Sequence, residues 1–388
     1  MPIAKLKVLE LFGGIGACSK ALRKLGIDYE LIDYVEINKY AVKSFNAINN
    51  TNFETQDICQ WNKNVEVDLI MHGSPCQDFS LAGKLAGGDE GSGTRSSLMY
   101  ETIRIVEKLR PKYVIWENVK NLLSKKHIHN FENYLHRLND LGYTNSYQVL
   151  NSKDYEIPQN RERVFTISVL NGNKFKFPQK KELKLRLKDL LDIEVDAKYY
   201  LSEEKISQIV FEDEFRFLIK EATKKGYAEA HDGDGVYINR PHQKRGVVQK
   251  QMIQTIKTGC DIGVVVPKLV GGIGEKKSNG GTQYYQQDRI YDGNGIAMCH
   301  PANLPSGSYM YLLNNLTIRR LTPLECWRLM GFDDLDFEKA KEINSDTQLY
   351  KQAGNSIVVN VLEAILKNLL IDKQYERENK QLTLFDFL

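Results

Sequence analysis

Short apolar runs alternate with stretches of helical periodicity along the first 170 residues. The apolar runs predict strands at 5–12, 67–71 and 113–116. Between them, apolar side chains recur at helical spacing before Gly26 and again from Met99 to Leu109, and Pro111 ends the second pattern. Strands that alternate with helices predict an α/β fold built on a parallel sheet.

The chain breaks sharply after the run 67–71, at Gly73 and Pro75, and Cys76 follows at once. In open α/β sheets, ligands bind just beyond the carboxyl ends of the strands, which is where this thiol is expected. The next residues are rich in glycine from 83 to 93 and are expected to form a mobile lid. Cys76 is therefore a candidate nucleophile. The alternative is a small buried hydrophobe, the usual state of a free cysteine.

A glycine-rich turn, Gly13-Gly14-Ile15-Gly16, joins the first strand to the first helix. Glycines there let the backbone approach a ligand at a helix N-terminus. Glu36 ends the second predicted strand, where a carboxylate can accept both hydroxyls of a ribose, and Asp57, after another short run, is expected at the next strand end. Because the GxGxxG pattern of dinucleotide sites is absent, the turn predicts a different nucleoside-bearing cofactor. Phe12 is expected either to stack on the base of this cofactor or to pack in the core.

Charged side chains are expected at the same edge of the sheet. Glu117-Asn118-Val119 follows the strand 113–116, and burial beside Trp116 would raise the pKa of Glu117, which suits a general acid. Arg161 and Arg163 precede another strand and would share one face, where paired guanidiniums can hold a phosphate or a pyrimidine carbonyl and favour a thiolate. The alternatives are a structural loop hydrogen bond for Glu117 and surface charges for the arginines.

The composition excludes some classes of protein but does not indicate a binding partner. The chain has 388 residues, a formal net charge of +3, and six cysteines with no CxxC pair, which argues against a disulfide framework and a zinc site. No metal site is predicted. Neither a membrane-spanning apolar stretch nor a signal peptide is expected, so the predicted compartment is the cytoplasm, with no membrane partner.

Six motifs appear in a fixed order along the chain. They are Phe12-Gly13-Gly14-Ile15-Gly16, Pro75-Cys76-Gln77, Glu117-Asn118-Val119, Gln159-Asn160-Arg161-Glu162-Arg163, Arg320-Leu321-Thr322-Pro323-Leu324-Glu325 with Arg328-Leu329-Met330-Gly331-Phe332, and Gln352-Ala353-Gly354-Asn355-Ser356. Together they resemble the ordered motifs of the cytosine-C5 DNA methyltransferases of bacteria and phages, whether restriction-modification or orphan enzymes. The match runs from about residue 5 to 370, apart from a variable middle.

The resemblance implies a Rossmann-like S-adenosylmethionine-dependent methyltransferase domain and a covalent mechanism. Cytosine C5 is a poor nucleophile, so the Cys76 thiolate would add at C6 while Glu117 protonates or hydrogen-bonds N3. Arg163, with Arg161 nearby, would hold the pyrimidine carbonyl. A methyl group then passes from S-adenosylmethionine to C5, and β-elimination frees Cys76.

The same resemblance assigns the cofactor pocket. Phe12 would stack on the adenine, Glu36 would bind the ribose, and Asp57 with Ile58 would read the adenine edge. The complete predicted set is Phe12, Gly13, Gly14, Gly16, Glu36, Asp57, Ile58, Pro75, Asn355 and Ser356.

By the same resemblance, the variable middle is expected to form a second domain that contacts double-stranded DNA. The expected organisation is a catalytic domain at 1–170 and 317–371, with a smaller, loop-rich target-recognition domain at 171–316 inserted before the last motifs. After it, Thr322 is the expected N-cap of a helix that starts at Pro323. The target cytosine would be flipped out of the duplex, with the segment 80–97 closing over it. The predicted DNA contacts are Ser80, Lys84, Arg95, Arg240, Lys244 and Arg245.

The last segment, 372–388, reads as a polar linker with an apolar tail. Its end resembles the short peptide with which bacterial replication proteins dock on the sliding clamp; the anchors would be Gln381, Leu382, Leu384 and Phe385. The alternative is that the tail folds back onto the last helix.

Three other functions are the alternatives to DNA methylation. The tRNA-methylating branch of the family carries a Cys-Phe-Thr tripeptide that is absent here. A catalytically silent DNA-binding paralogue conflicts with the intact set of Cys76, Glu117 and Arg163. A dinucleotide oxidoreductase would carry the GxGxxG pattern, which is absent from this chain. The family expectation is a monomer in the cytoplasm of a bacterial or phage-infected cell, associated with the nucleoid.

Overall fold

The computed structural model describes residues 5–75, 89–202, 204, 206, 210–211, 217–238, 246–258, 262–267, 269–272, 289–291 and 316–372. The chain divides into two compact units. The first contains 1–157, 161–184 and 327–388, and the second contains 158–160 and 185–326. The extent of the predicted target-recognition domain and its role stay predictions.

The described part of the chain contains helices and strands in mixed order. The helices are α1 (Ala17–Lys24), α2 (Lys39–Asn49), α3 (Met99–Leu109), α4 (Ile128–Asp140), α5 (Pro323–Arg328), α6 (Asp334–Lys341), α7 (Asp346–Asn355) and α8 (Val359–Leu366). The strands of the first unit are β1 (Leu6–Leu11), β2 (Tyr29–Val35), β3 (Leu69–His72), β4 (Tyr113–Val119), β5 (Tyr143–Asn151) and β7 (Glu162–Leu170). The strands of the second unit are β6 (Gln159–Asn160), β8 (Val210–Phe211), β9 (Phe217–Lys220), β10 (Tyr227–Ala230), β11 (Gly235–Tyr237), β12 (Val248–Gln249), β13 (Ile253–Gln254), β14 (Ile262–Pro267), β15 (Leu269–Gly272), β16 (Arg289–Tyr291) and β17 (Leu316–Arg320).

The first unit is built on a six-stranded sheet of order β2-β1-β3-β4-β7-β5. The strands β2, β1, β3 and β4 are parallel, whereas β7 runs antiparallel to both β4 and β5. The order reverses between β1 and β3, so their carboxyl ends flank a topological switch point, where open α/β sheets bind ligands. The predicted Rossmann-like α/β fold is confirmed.

Two expectations about strand ends are wrong. β4 does not stop before Glu117 but continues to Val119, because Glu117, Asn118 and Val119 pair with β7. Asp57 does not follow a strand; it lies in an irregular segment after α2. Residues 51–57 carry a single apolar side chain, Phe53, and show no alternation of apolar and polar positions, so they form no strand face to bury.

One segment, Asp346–Ile371, is long and apolar enough by composition to cross a membrane, contrary to the expectation from the sequence. It contains α7 and α8, and 44% of its most apolar window is buried inside the protein. Val359, Leu362 and Ile365 of α8 are buried, and α8 packs against α1. The core helix of a globular protein gives the same signal, so this segment is weak evidence for a membrane span.

The second unit contains a buried ion pair at the start of α5. Thr322 and Glu325 form a reciprocal cap, in which each side chain accepts from the other's backbone N–H, at 3.2 and 2.7 Å, so the predicted N-cap is confirmed. The Glu325 carboxylate also accepts hydrogen bonds from both terminal nitrogens of Arg319, at 2.7 and 2.8 Å. Both side chains are almost fully buried, 0% and 2% exposed.

We expect Glu325→Ala to lower the free energy of unfolding by about 3–5 kcal/mol, because Arg319 would stay buried without its counter-charge. The control is Glu338→Ala, which breaks an exposed helical pair with Lys341 and should cost no more than about 0.5 kcal/mol. Urea unfolding of the two variants measures the difference. Equal midpoints would show that the buried pair contributes no more than a surface pair.

Candidate active site

A pocket opens at the switch point, at the carboxyl ends of β1 and β3. Its lining comes from four separate parts of the chain, and it includes Phe12, Gly13, Gly14, Glu117, Asn355 and Ser356, which were predicted from the sequence. All of these residues belong to the first unit. The structure therefore brings together residues that are more than 300 positions apart in the chain.

The glycine turn is shaped by left-handed backbone at Gly14 and Gly16, with φ of +54° and +83°. A Cβ on Gly14 would meet no heavy atom within 4 Å, so this position leaves open space. A Cβ on Gly16 would lie 2.7 Å from the Phe45 ring. Gly14 thus leaves the pocket free, whereas Gly16, which caps α1, is required by close packing.

Glu36 ties the glycine turn to the end of β2. Its carboxylate accepts the backbone N–H of Gly14 at 3.1 Å and that of Asn38 at 2.8 Å. Burial raises the pKa of Glu36, while these backbone donors oppose the rise. A carboxylate fixed in this way keeps lone pairs with which to accept further donors.

The predicted adenine-reading residues lie beside Glu36. The Gln56 N–H donates to the Glu36 carbonyl at 2.9 Å, which brings the following residues alongside the end of β2. The Asp57 carboxylate accepts the Cys59 N–H at 2.9 Å, and the Ile58 side chain is buried in the core. Asp57 and Ile58 are therefore held near the predicted ribose-binding residue by local hydrogen bonds.

Glu117 and Arg163 form an ion pair across β4 and β7. Arg163 lies opposite Val119, so it is a diagonal neighbour of Glu117 on the same face of the sheet, and its Nε is 3.1 Å from the Glu117 carboxylate. Burial raises the pKa of Glu117, against the opposing charges of Arg163 and Arg161. The predicted direction of this pKa shift is confirmed.

Arg161 lies close to Glu117 but its guanidinium is engaged elsewhere. Its Nη2 donates to the carbonyl oxygens of Gly354 at 3.2 Å and Ser356 at 2.8 Å. The guanidinium thus holds the turn between α7 and α8, on which Asn355 is exposed and Ser356 is buried. A direct catalytic role for Arg161 stays a prediction.

Glu10 also lines this pocket and was not among the site residues predicted from the sequence. Its buried carboxylate accepts both the N–H and the hydroxyl of Ser19. Burial raises the pKa of Glu10 to about 7. The available signal was a single acidic residue within the apolar run 8–12, which predicts a buried carboxylate with local partners. Cys18, Met71 and Ile357 also line the pocket and were not predicted.

Several predicted residues lie elsewhere or outside the described part of the chain. Pro75 follows β3 and is half-buried, and Arg95 is exposed at the start of a short 3₁₀ turn. The residues outside the described ranges are Cys76, Ser80, Lys84, Arg240, Lys244, Arg245, Gln381, Leu382, Leu384 and Phe385. In the described residues, acidic, histidine and cysteine side chains form no cluster able to hold a metal ion.

Relatives with sequences similar to this chain come from phages and bacteria. The orphan methyltransferase M.SPRI of Bacillus phage SPR is 32% identical over 96% of this chain and 100% of its own length. The type II methyltransferase M2.ScrFI of Lactococcus lactis subsp. cremoris is 32% identical over 94% of this chain and 99% of its own. The type II methyltransferase M.HhaI of Haemophilus parahaemolyticus is also 32% identical, over 94% of each chain.

Solved structures support the fold. The Entamoeba histolytica methyltransferase EhMeth superposes with a TM-score of 0.63 at 16% identity, covering 95% of this chain and 99% of its own. The S. pombe Dnmt2 methyltransferase gives 0.58 at 19% identity, covering 96% and 99%.

The family model of the C-5 cytosine-specific DNA methylases matches residues 6–370, nearly the whole chain. The switch-point pocket, the Glu117–Arg163 pair and the relatives at 32% identity agree with that match. The chain therefore belongs to the C-5 cytosine-specific DNA methylase family and is a DNA cytosine-C5 methyltransferase.

Proposed function

We propose that this enzyme methylates C5 of a flipped-out cytosine in a specific duplex DNA sequence, through a covalent bond between Cys76 and C6. The observation that carries the proposal is the ion pair of Glu117 and Arg163, which lies beside the strand end that leads to Cys76. A Cβ on Gly73 would be 3.5 Å from Glu117 Oε2, and Cys76 follows Gly73 by three positions in the chain. A thiol, an acid and a guanidinium are the groups that addition to a cytosine ring requires.

The residues of the pocket fit S-adenosylmethionine as the methyl donor. Gly14 leaves open space at the turn, and the half-buried Glu36 carboxylate beside it suits the ribose hydroxyls. Phe12, Asp57 and Ile58 would hold the adenine, and Asn355 with Ser356 would close the pocket from the other side. When bound, this cofactor supplies an electrophilic methyl group.

The chain's own residues would carry the rest of the chemistry. The Cys76 sulfur donates an electron pair to C6, the C5–C6 double bond opens, and Glu117 provides a proton or hydrogen bond at N3. Arg163 would hold the pyrimidine carbonyl, where negative charge develops. Once C5 carries the methyl group, loss of the C5 proton restores the double bond and expels the Cys76 thiolate.

We propose that the second unit supplies the choice of DNA sequence. It has a four-stranded sheet of its own, of order β12-β11-β14-β17, and Lys257 lies 5.1 Å from the centre of the Tyr237 ring. Cationic and aromatic side chains of this kind suit phosphate and base contacts. Action as a monomer, location with the nucleoid in the cytoplasm, and docking of the tail on a sliding clamp stay predictions.

The proposed function is tested by incubating the enzyme with S-adenosylmethionine and mixed-sequence duplex DNA, followed by conversion sequencing for 5-methylcytosine. We expect methylation at one short motif. Transfer to tRNA instead of DNA would place the chain in the RNA-methylating branch. The absence of transfer to either substrate would favour a DNA-binding protein without catalytic activity.

A further inference from the structure

Ser74 lies between β3 and Cys76 and is held by two side chains of β4. The Trp116 indole N–H donates to the Ser74 hydroxyl at 2.9 Å. The Asn118 side-chain amide donates to the Ser74 carbonyl at 3.3 Å and to its hydroxyl at 3.4 Å. Ser74 is only 3% exposed, so water cannot replace these donors without opening the core.

Trp116 is itself fixed by an aromatic cluster. Its ring stacks on His72, with centroids 5.7 Å apart and planes 6° from parallel, and lies 4.1 Å from the Tyr134 ring. The Tyr134 hydroxyl pairs with His72 Nε2 at 2.9 Å. Burial lowers the pKa of His72 to about 3, so this ring stays neutral and the cluster carries no charge at neutral pH. Because Trp116 is only 1% exposed, its N–H has a fixed position.

Side chains on both faces of β4 therefore lie against the segment that follows β3. Trp116 and Asn118 alternate with Glu117 along the strand, so their side chains lie on the opposite face from the Glu117 carboxylate. Gly73 approaches that carboxylate, while Ser74 is bound by the opposite face. The backbone thus lies close to the Glu117 carboxylate at Gly73 and is held by Trp116 and Asn118 at Ser74.

We propose that Trp116 is a positioning residue: its indole N–H, through Ser74, sets where the segment carrying Cys76 begins relative to Glu117. The inference rests on the proposed role of Cys76 as nucleophile. Attack on C6 needs the sulfur and the acid at defined positions around one ring, and a displacement of about 1 Å can cost a hundredfold in rate. Two rigid donors from the strand that carries the acid meet this need.

The test uses Trp116→Phe, which keeps a ring but removes the donor, and Ser74→Ala, which removes the hydroxyl acceptor without disturbing the aromatic cluster. We expect each to lower kcat about tenfold to a hundredfold per folded molecule, with KM for S-adenosylmethionine and for DNA nearly unchanged. The double variant should lose no more than the larger single loss, because both changes break the same bond. The initial rate of covalent adduct formation on duplex DNA containing 5-fluorocytosine should fall in parallel. This adduct accumulates in every active variant because the C5 fluorine cannot leave as the proton does, so β-elimination is blocked.

The matched control is Trp327→Phe. This indole is also fully buried and donates to the Leu349 carbonyl at 3.0 Å, inside the helical part of the first unit. It should lower the melting temperature but keep the wild-type rate per folded molecule. An equal rate loss in Trp327→Phe, or a wild-type kcat in both Trp116→Phe and Ser74→Ala, overturns the inference. A wild-type enzyme that methylates no DNA overturns the proposed function itself, and the inference falls with it.

Discussion

Replacing Cys76 by alanine is expected to abolish methyl transfer while leaving DNA binding intact. Without the thiolate no electron pair reaches C6, and C5 of cytosine alone is too weak a nucleophile to accept a methyl group. Duplex binding depends mainly on phosphate contacts, which a Cys76→Ala change does not touch. Methylation is read as 5-methylcytosine by conversion sequencing, and binding by titration of the same duplex.

The control for this change is Cys59→Ala. Cys59 is an exposed free cysteine after α2, so its loss removes a thiol without altering the core. We expect the wild-type methylation rate in Cys59→Ala and a covalent adduct with 5-fluorocytosine DNA in that variant but not in Cys76→Ala. Methylation by Cys76→Ala near the wild-type rate would eliminate the covalent mechanism.

Replacing Glu117 by glutamine should lower kcat about 10²–10⁴-fold, the usual contribution of a general acid. The amide has nearly the same shape but cannot transfer a proton to N3, and it cannot balance the charge of Arg163, 3.1 Å away in the wild type. The matched control is Glu162→Gln on β7. Glu162 is exposed, pairs with Lys120 at 3.0 Å, and should be dispensable for the rate. Equal rates in the two variants would remove Glu117 from the mechanism.

The pH profile gives a second readout of Glu117. Because burial raises the pKa of this carboxyl, the proton is retained to a higher pH than on an ordinary glutamate and is lost as the pH rises further. The kcat/KM of the wild type should therefore fall on the alkaline side, and this limb should be missing from Glu117→Gln.

The features predicted well from the sequence are those fixed by neighbouring residues. The strand before Gly13, the turn through Gly16 and the helix after it follow from a local apolar run and three glycines. The Thr322 cap of α5 likewise needs only Glu325, three positions on. These features depend on periodicity and on backbone conformation, and both can be recognised from a few consecutive residues of the sequence.

The features that were missed depend on partners far away in the chain. Continuation of β4 through Glu117 requires the antiparallel β7, which starts 45 residues later, at 162. The Arg161 guanidinium donates to carbonyl oxygens 193 and 195 positions further on. Backbone oxygens carry no residue-type signal, so no sequence pattern indicates them as the partners of an arginine. The Trp116–Ser74 bond also joins residues 42 positions apart.

The division of the pocket between the two ends of the chain has a consequence for synthesis in the cell. A nascent polypeptide that has emerged only as far as α4 already contains the glycine turn and Glu117, but the wall made by Asn355 and Ser356 does not yet exist. The Arg161 guanidinium also has no carbonyl of Gly354 to bind until then. Ribosome-bound chains and prematurely terminated products that stop before Ser356 would therefore not methylate DNA, and methylation would begin only after this residue has been synthesised and folded into the pocket.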